Sequence, residues 1–271
     1  MKKIIVGICT SSFLFAANFM PYGAYLTYNN STKDSGYVGG IYASDLESPY
    51  KLEFDAEYLD ITYNNGSPDY TESDITLIGH YYEGYNYDYK LGIHNIFVTQ
   101  TGNKAYNQVF IGGILYYKTL QYNYGADLYI SSYDNFSVYQ ITPKAGYNFG
   151  NYYSFLGSFY VEGKFNFINI SNKGYAPHQD YRNLDFKVSN YNGPYVTTIE
   201  ASFGKNAYKV ASDGYSVYNL GEEYEKSYTA RFKYKFDKTD SFEVSYSRSF
   251  FTENNINASS KVYLLSYVTM F

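Results

Sequence analysis

The sequence contains no tryptophan, one cysteine, three histidines and six prolines in 271 residues. It also lacks an uninterrupted apolar run of the roughly 20 residues that a membrane-spanning helix requires. With a single cysteine, neither a disulfide framework nor a cysteine-based metal centre can form. Basic residues are scarce as well: 21 lysines and arginines face 26 aspartates and glutamates, a net charge of -5. That balance argues against a nucleic-acid-binding surface, which needs a basic patch.

The N-terminus has its own pattern. Met1-Lys2-Lys3 is a short basic start, Ile4 to Phe15 is mostly apolar, and Ala16-Ala17 are small. This predicts a secretory signal peptide over residues 1–17. The cleavage site is imperfect, because Leu14 or Phe15 occupies the position three back from the cut, where a small residue is preferred. Cys9 lies inside this segment, and the bulky Ile8 before it disfavours lipoprotein processing. Removal of residues 1–17 leaves a cysteine-free chain, 18–271, with a net charge of about -7 once Lys2 and Lys3 are gone.

Aromatic residues are what the sequence has in abundance: 39 tyrosines and 20 phenylalanines, with a negative mean hydropathy. A soluble core of this size would rest on Leu, Ile and Val. Tyrosine interleaved with polar residues suits a membrane interface, where the ring sits at headgroup level.

The dominant pattern is alternation. Leu52, Phe54, Ala56 and Tyr58 alternate with Lys51, Glu53, Asp55 and Glu57. Tyr87, Tyr89, Leu91 and Ile93 alternate with Asp88, Lys90, Gly92 and His94. Phe155, Phe159, Val161, Phe165 and Phe167 alternate with Ser154, Ser158, Glu162, Lys164 and Asn166. Tyr228, Ala230, Phe232, Tyr234 and Phe236 alternate with Thr229, Arg231, Lys233 and Lys235. Period two over many segments, with no competing helical period, predicts an all-β chain of about fourteen strands. Twelve is the count if Gly36–Ala43 or Asn183–Ser189 does not pair. After Tyr58 the apolar positions shift to Leu59, Ile61 and Tyr63, which predicts a bulge.

The connections divide into two sets. Gly84–Asn86, Tyr117–Lys118, Gly150–Asn151, Asn192–Pro194 and Asp237–Asp240 are short. Asn64–Glu72, Thr99–Ala105, Ser171–Arg182, Lys205–Lys226 and Thr252–Ser260 are mostly longer. Ser44–Pro49 is somewhat long for its place in the short set. Short turns on one rim and long loops on the other predict a transmembrane antiparallel up-and-down β-barrel. An even strand number then puts both ends of the barrel on the periplasmic rim.

The final strand ends on Phe271, and Thr269, Tyr267, Leu265 and Tyr263 share its face. With the export signal, the cysteine-free remainder and the amphipathic strands, this resembles the class of bacterial outer-membrane β-barrel proteins. The size and strand count are similar to those of monomeric fourteen-stranded porins, though no motif singles out one family. The resemblance implies an outer-membrane location and contact with lipid and lipopolysaccharide. It also implies that Tyr263, Leu265, Tyr267 and Phe271 form the signal read by the barrel-assembly machinery.

Charged ladders indicate which face is wet. Glu53, Asp55 and Glu57 share one strand face, and Arg231, Lys233 and Lys235 share another. A lysine or arginine at the lipid midplane costs about 2–4 kcal/mol, so both ladders are expected to line the lumen, with Lys90 and Glu243 beside them. The two strands lie five steps apart round a ring of fourteen. Acidic and basic walls would set a transverse field across water; the competing arrangement is that they pair and plug the barrel, with Glu243 next to Lys235.

No catalytic constellation emerges. His80 and His94 lie on consecutive strands, but two imidazoles alone make a poor zinc site, and no serine completes a triad with them. His178 falls in a surface loop. Phe110–Leu115 ("FIGGIL") lacks the lysine and helix of a phosphate loop, and no calcium-loop pattern is present. No cofactor or enzyme activity is therefore expected. The leading expectation is a porin-like channel for small polar solutes or ions. The alternatives are a surface or adhesion barrel acting through its loops and an uptake barrel for a hydrophobic ligand. The latter usually carries an N-terminal plug, for which no sequence is present before the first strand. Lys205–Lys226, the longest connection, is either a displayed loop or a gate folded inward.

Overall fold

The computed structural model describes residues 18–64 and 66–271. The expected signal peptide, residues 1–17 with Cys9, lies outside the described residues. Eleven strands come first: β1 (Asn18–Asn29), β2 (Lys33–Glu47), β3 (Tyr50–Tyr63), β4 (Tyr70–Glu83), β5 (Tyr87–Gln100), β6 (Asn103–Tyr117), β7 (Tyr122–Ser132), β8 (Ser137–Gly150), β9 (Ser158–Ile170), β10 (Asp180–Asn192) and β11 (Tyr195–Asn206). Two short strands, β12 (Val210–Ala211) and β13 (Ser216–Val217), form a hairpin of their own. The chain then resumes with β14 (Glu223–Lys235), β15 (Ser241–Glu253) and β16 (Ile256–Met270). All strands but β12 and β13 join one closed, antiparallel ring, in which β11 pairs with β14 and β1 pairs with β16. The ring has fourteen strands, because both doubtful segments pair along their whole length: β2 with β1 and β3, and β10 with β9 and β11.

Alternation decides which side chains face out. On β14, Phe232 is exposed on the outside, whereas Lys233 turns inward to Glu243 at 3.3 Å. Stacked and tilted aromatic pairs on the outer face, such as Tyr50–Tyr81, Tyr87–Tyr116 and Tyr122–Tyr147, run round the rim that holds Asn18 and Met270. They form the aromatic girdle of a membrane barrel. Phe232→Lys should therefore destabilise the folded barrel by up to about 2–4 kcal/mol, and Lys233→Ala far less. A urea refolding titration in lipid vesicles measures both, and equal tolerance would refute this facing of β14.

The connections depart from the expected division. Thr99–Ala105 and Thr252–Ser260 contract to two-residue turns, Thr101-Gly102 and Asn254-Asn255, in which both residues have positive φ. That geometry matches the twist of the flanking strands, so pairing runs to the turn. Gly150–Asn151, expected to be short, is instead a connection over residues 151–157. There Asn151 Oδ1 accepts the Tyr153 N–H at 2.9 Å and the Asn151 carbonyl accepts the Ser154 N–H at 2.9 Å. These local turns compete with the sheet ladder. Ser44–Pro49 is short after all, since β2 runs on to Glu47.

No bulge follows Tyr58. The register of β3 against β2 and β4 runs unbroken through Leu59 and Ile61. Those two side chains line the lumen; the inner face itself becomes apolar there. The same change recurs at Ile96 on β5, Val109 and Ile111 on β6, and Ile168 and Ile170 on β9, all buried.

Candidate functional site

The apolar inner wall is covered by residues 207–222, which fold into the barrel. Val210, Tyr215 and Val217 pack against Ile78, Ile96, Val109, Ile111 and Tyr129. Ala207 and Tyr208 pack against Val138, Ile168, Ile170 and Tyr181. Polar contacts fix the depth of insertion. Gln140 pairs with the backbone of Val210 at both its amide and its carbonyl, at 2.9 and 2.8 Å. Lys209 is buried against Asp185 at 2.6 Å. Burial draws the Lys209 ammonium below the usual lysine range, against the opposing pull of Asp185.

Asp213, at the tip, meets three ammonium groups. Its carboxylate lies 2.8 Å from Lys164 Nζ and 3.8 Å from Lys144 Nζ, and its carbonyl accepts from Lys90 Nζ at 3.1 Å. Burial alone would raise the Asp213 pKa, but Lys164, Lys144 and Lys90 hold it well below the usual carboxylate range. Lys90 and Lys144 are tied in turn to Asp127, at 3.0 and 2.8 Å. The Lys90–Asp127 pair spans β6 at Gly113, where a Cβ would collide with Asp127 Oδ1.

The inserted segment leaves open a lumenal cavity of about 780 Å³ beside β1–β4 and β14–β16. One wall is hydroxyl-lined, with Ser227, Ser245, Ser247, Ser249, Ser260 and Ser266. The other carries Asp55, Glu57, Glu72 and Asp74. Tyr22 reaches over β2 at Gly40, where a Cβ would strike its ring, and places its single hydroxyl proton between two acceptors, Asp55 Oδ1 at 3.0 Å and Glu57 Oε2 at 2.9 Å. Tyr70 and Asn219 donate to Glu72, the latter at 2.8 Å.

The expected ladders occupy these walls unequally. Glu53 is bound by Lys51, His80 and Tyr42 at 2.5, 2.8 and 2.5 Å, whereas Asp55 and Glu57 face the cavity. The basic ladder is largely neutralised within its own wall. Arg231 meets Glu200 at 3.0 Å, and Lys233 meets Glu243 at 3.3 Å. Register sets the second pair: Glu243 lies opposite Lys233, and Lys235, exposed at the rim, lies opposite Ser241. Glu243 is thus the partner of Lys233, not of Lys235. The two ladders stand five strands apart and do not touch.

The histidines do not meet. His80 lies opposite Lys90 and binds Asp88 and Glu53, while His94 lies opposite Thr76. His178 lies 3.5 Å from Glu223. Glu72, Asp74 and Asn219 escaped the sequence reading, although the alternation of Glu72, Asp74 and Thr76 was there to be seen. At the end of the chain, Tyr263, Leu265 and Tyr267 lie on the outer face, and the exposed Phe271 follows β16.

No protein-family model matches the chain, and no curated protein matches it significantly. Solved structures do. One is a monoaromatic hydrocarbon channel, CymD, with a TM-score of 0.63 at 10% identity, covering 98% of this chain and 92% of that one. Another is the toluene transporter TbuX of Ralstonia pickettii, with a TM-score of 0.61 at 9% identity, covering 96% and 91%. The outer membrane protein Omp33 of Acinetobacter baumannii aligns at 0.50 and 8% identity, covering 95% and 99%. The fold is that of a bacterial outer-membrane β-barrel. At these identities the likeness is one of architecture.

Proposed function

We propose that this chain is a porin-like channel of a bacterial outer membrane, passing small polar solutes with a preference for cations. The observation that carries the proposal is the cavity of about 780 Å³ left beside the inserted segment, where serine hydroxyls and the unpaired carboxylates of β3 and β4 share the lining with apolar side chains and with Lys164, Lys187, Lys209 and Arg231. Fixed charges in a low-dielectric passage focus counter-ions and set selectivity. The transverse field expected from two opposed ladders gives way to an acidic wall facing a neutral one, because Glu200 and Glu243 compensate Arg231 and Lys233.

CymD is a monoaromatic hydrocarbon channel and TbuX a toluene transporter, which keeps hydrophobic uptake as the second reading. Against it, the apolar patches at Ile78, Ile96, Val109 and Ile111 and at Val138, Ile168 and Ile170 are covered by the inserted segment; in its favour, Leu26, Val38, Leu59, Ile61 and Leu264 leave part of the cavity lining apolar. An adhesion role loses its best support, because the longest connection is folded inward rather than displayed.

Planar-bilayer recording of the refolded barrel tests the proposal. Discrete conductance steps should appear, with a reversal potential in a salt gradient that favours cations. Asp55→Asn with Glu57→Gln should shift it toward anions, and the shift should shrink at high salt through screening. A folded, heat-modifiable barrel without steps would reject the channel.

A further inference from the structure

The outer wall of the barrel is not uniformly covered by large side chains. Four strands place outward-facing residues in one cross-strand row: Tyr124 on β7, Ala145 on β8, Gly163 on β9 and Phe186 on β10. Two large rings thus flank two small residues, and the row forms a gutter two strands wide. It belongs to an open groove of about 730 Å³, which Tyr122, Tyr147, Val161 and Val188 continue toward the periplasmic rim. Nothing in the backbone demands the glycine. Gly163 does not adopt a positive φ, and a Cβ there would meet only the edge of the Phe186 ring, at 3.9 Å. Gly163 therefore leaves space rather than relieving a clash, and a strand glycine can mark the close approach of another molecule.

Two further observations lie at the rim end of this groove. Lys118, in the connection between β6 and β7, lines it and is exposed. The other charged residues of the lining, Glu162 and Lys187, also line the lumen and pair with each other at 3.1 Å. Lys118 takes part in no ion pair among the described residues. The connection over residues 151–157 leans onto the same outer surface. Asn190 and Asn192 share the outward parity of Phe186 and Val188, and their side-chain amides donate to the carbonyls of Leu156 and Phe155, at 2.8 and 3.0 Å. Phe155, 94% exposed, and Leu156 are thereby held outside the ring, beyond the stacked Tyr147, Phe149 and Phe159. Large apolar side chains in such a place fit the headgroup boundary of a bilayer.

We propose that this groove is a binding site for an anionic phospholipid of the periplasmic leaflet. One acyl chain lies in the gutter between Tyr124 and Phe186, and the headgroup phosphate meets Lys118. The chemistry at each end sets this placement. The gutter is apolar and opens to hydrocarbon, whereas Lys118 stands beside the aromatic girdle, where a lysine extends its ammonium to the polar boundary. The lining offers no unpaired carboxylate to the amine of a zwitterionic headgroup, so an anionic one gains more. Bulk lipid contact is a different matter, because here a chain has walls on two sides and its headgroup a fixed partner. The site does not depend on whether the barrel conducts.

Native mass spectrometry of the full chain, refolded in detergent with added phosphatidylglycerol, tests the site. One retained lipid per barrel is expected, at higher occupancy than equimolar phosphatidylcholine gives. Gly163→Phe, which fills the gutter from the lipid side, should lower that occupancy roughly tenfold. Should it not refold, Ala145→Phe is expected to act in the same direction. Lys118→Gln should leave a lipid bound but abolish the preference for the anionic headgroup. Inorganic phosphate at the lipid's concentration should displace nothing. A series of adducts alike in the wild type and a folded gutter variant would overturn the proposal. So would equal occupancy by the two lipids, a preference that survives Lys118→Gln, displacement by phosphate, or preference for lipopolysaccharide. The readout does not involve conductance, so a barrel that binds the lipid without conducting rejects the channel and keeps the site.

Discussion

Excision of the inserted segment, with residues 208–221 replaced by a short Gly-Ser link, should raise single-channel conductance several-fold while leaving the barrel folded. The strands on either side justify the second half of that expectation. Asn206 and Tyr224 are register partners across β11 and β14, so a few residues close the gap, and a short closure is entropically inexpensive. None of the barrel ladder hydrogen bonds passes through the segment, whose own strands pair only with each other. What is lost is the cover over Ile78, Ile96, Val109 and Ile111, which would then face lumenal water, together with the contacts of Asp213 to Lys164, Lys144 and Lys90 and of Lys209 to Asp185. Some stability should go with it, at about 25 cal/mol per Å² of apolar surface exposed. Unchanged conductance in a folded variant would mean that the segment does not restrict the passage.

The second large effect is expected from Asp213→Lys. In the native protein one carboxylate faces Lys164 and Lys144, and the adjacent carbonyl holds Lys90. Hydrogen bonds to charged groups contribute about 1.5–3 kcal/mol each. Losing one would raise the population of the withdrawn segment roughly ten- to hundredfold, since about 1.4 kcal/mol is a factor of ten. A fourth ammonium at the same point adds repulsion to that loss. The expected result is frequent stepping to a larger conductance and new protease cleavage within residues 207–222. Cleavage and stepping at the native level would refute the latch. The native latch should withstand mild acid. A carboxyl with a depressed folded pKa contributes stability above its unfolded value, near about 3.9, and that stability is lost only as pH falls through the depressed one. The Asp213 contribution to the segment's protease resistance, read as the difference from Asp213→Lys, should therefore be unchanged between about pH 7 and pH 5.

Much of the fold was legible because the sheet has period two and the lipid face tolerates no charge. The sequence located Phe232 outside and Lys233 inside, and it kept β2 and β10 in view as strands. Turn lengths were harder. Whether Asn254-Asn255 makes a tight turn or Asn151 starts a local one depends on a few backbone angles that alternation does not encode. The inserted segment was legible only as one of two options. Its signal lay elsewhere, in the inner-face positions where Ile96, Val109, Ile111 and Ile168 replace polar residues. Such positions need a cover, and the apparent slip after Tyr58 belonged to the same change of the inner face. Only half of the acidic wall lies on one strand, at Asp55 and Glu57 of β3; Glu72 and Asp74 join it through the pairing of β3 with β4, which alternation along a single strand does not encode.

The seam between β1 and β16 carries a further consequence, for the order of events in folding. Every other ring contact joins neighbours in sequence or strands bridged by a single connection, so hairpins assemble from local encounters. The seam joins Asn18 to Met270, Tyr25 to Tyr263 and Asn29 to Ser259, partners separated by almost the whole described chain. Contacts of such separation are slow to form, because chain entropy must be surrendered before they stabilise anything. Until they do, both edges of the sheet hold unsatisfied amide and carbonyl groups that hydrocarbon cannot solvate. The last step of maturation should thus be slow and strongly cooperative, and an open sheet awaiting that step is the species most exposed to pairing with the wrong edge.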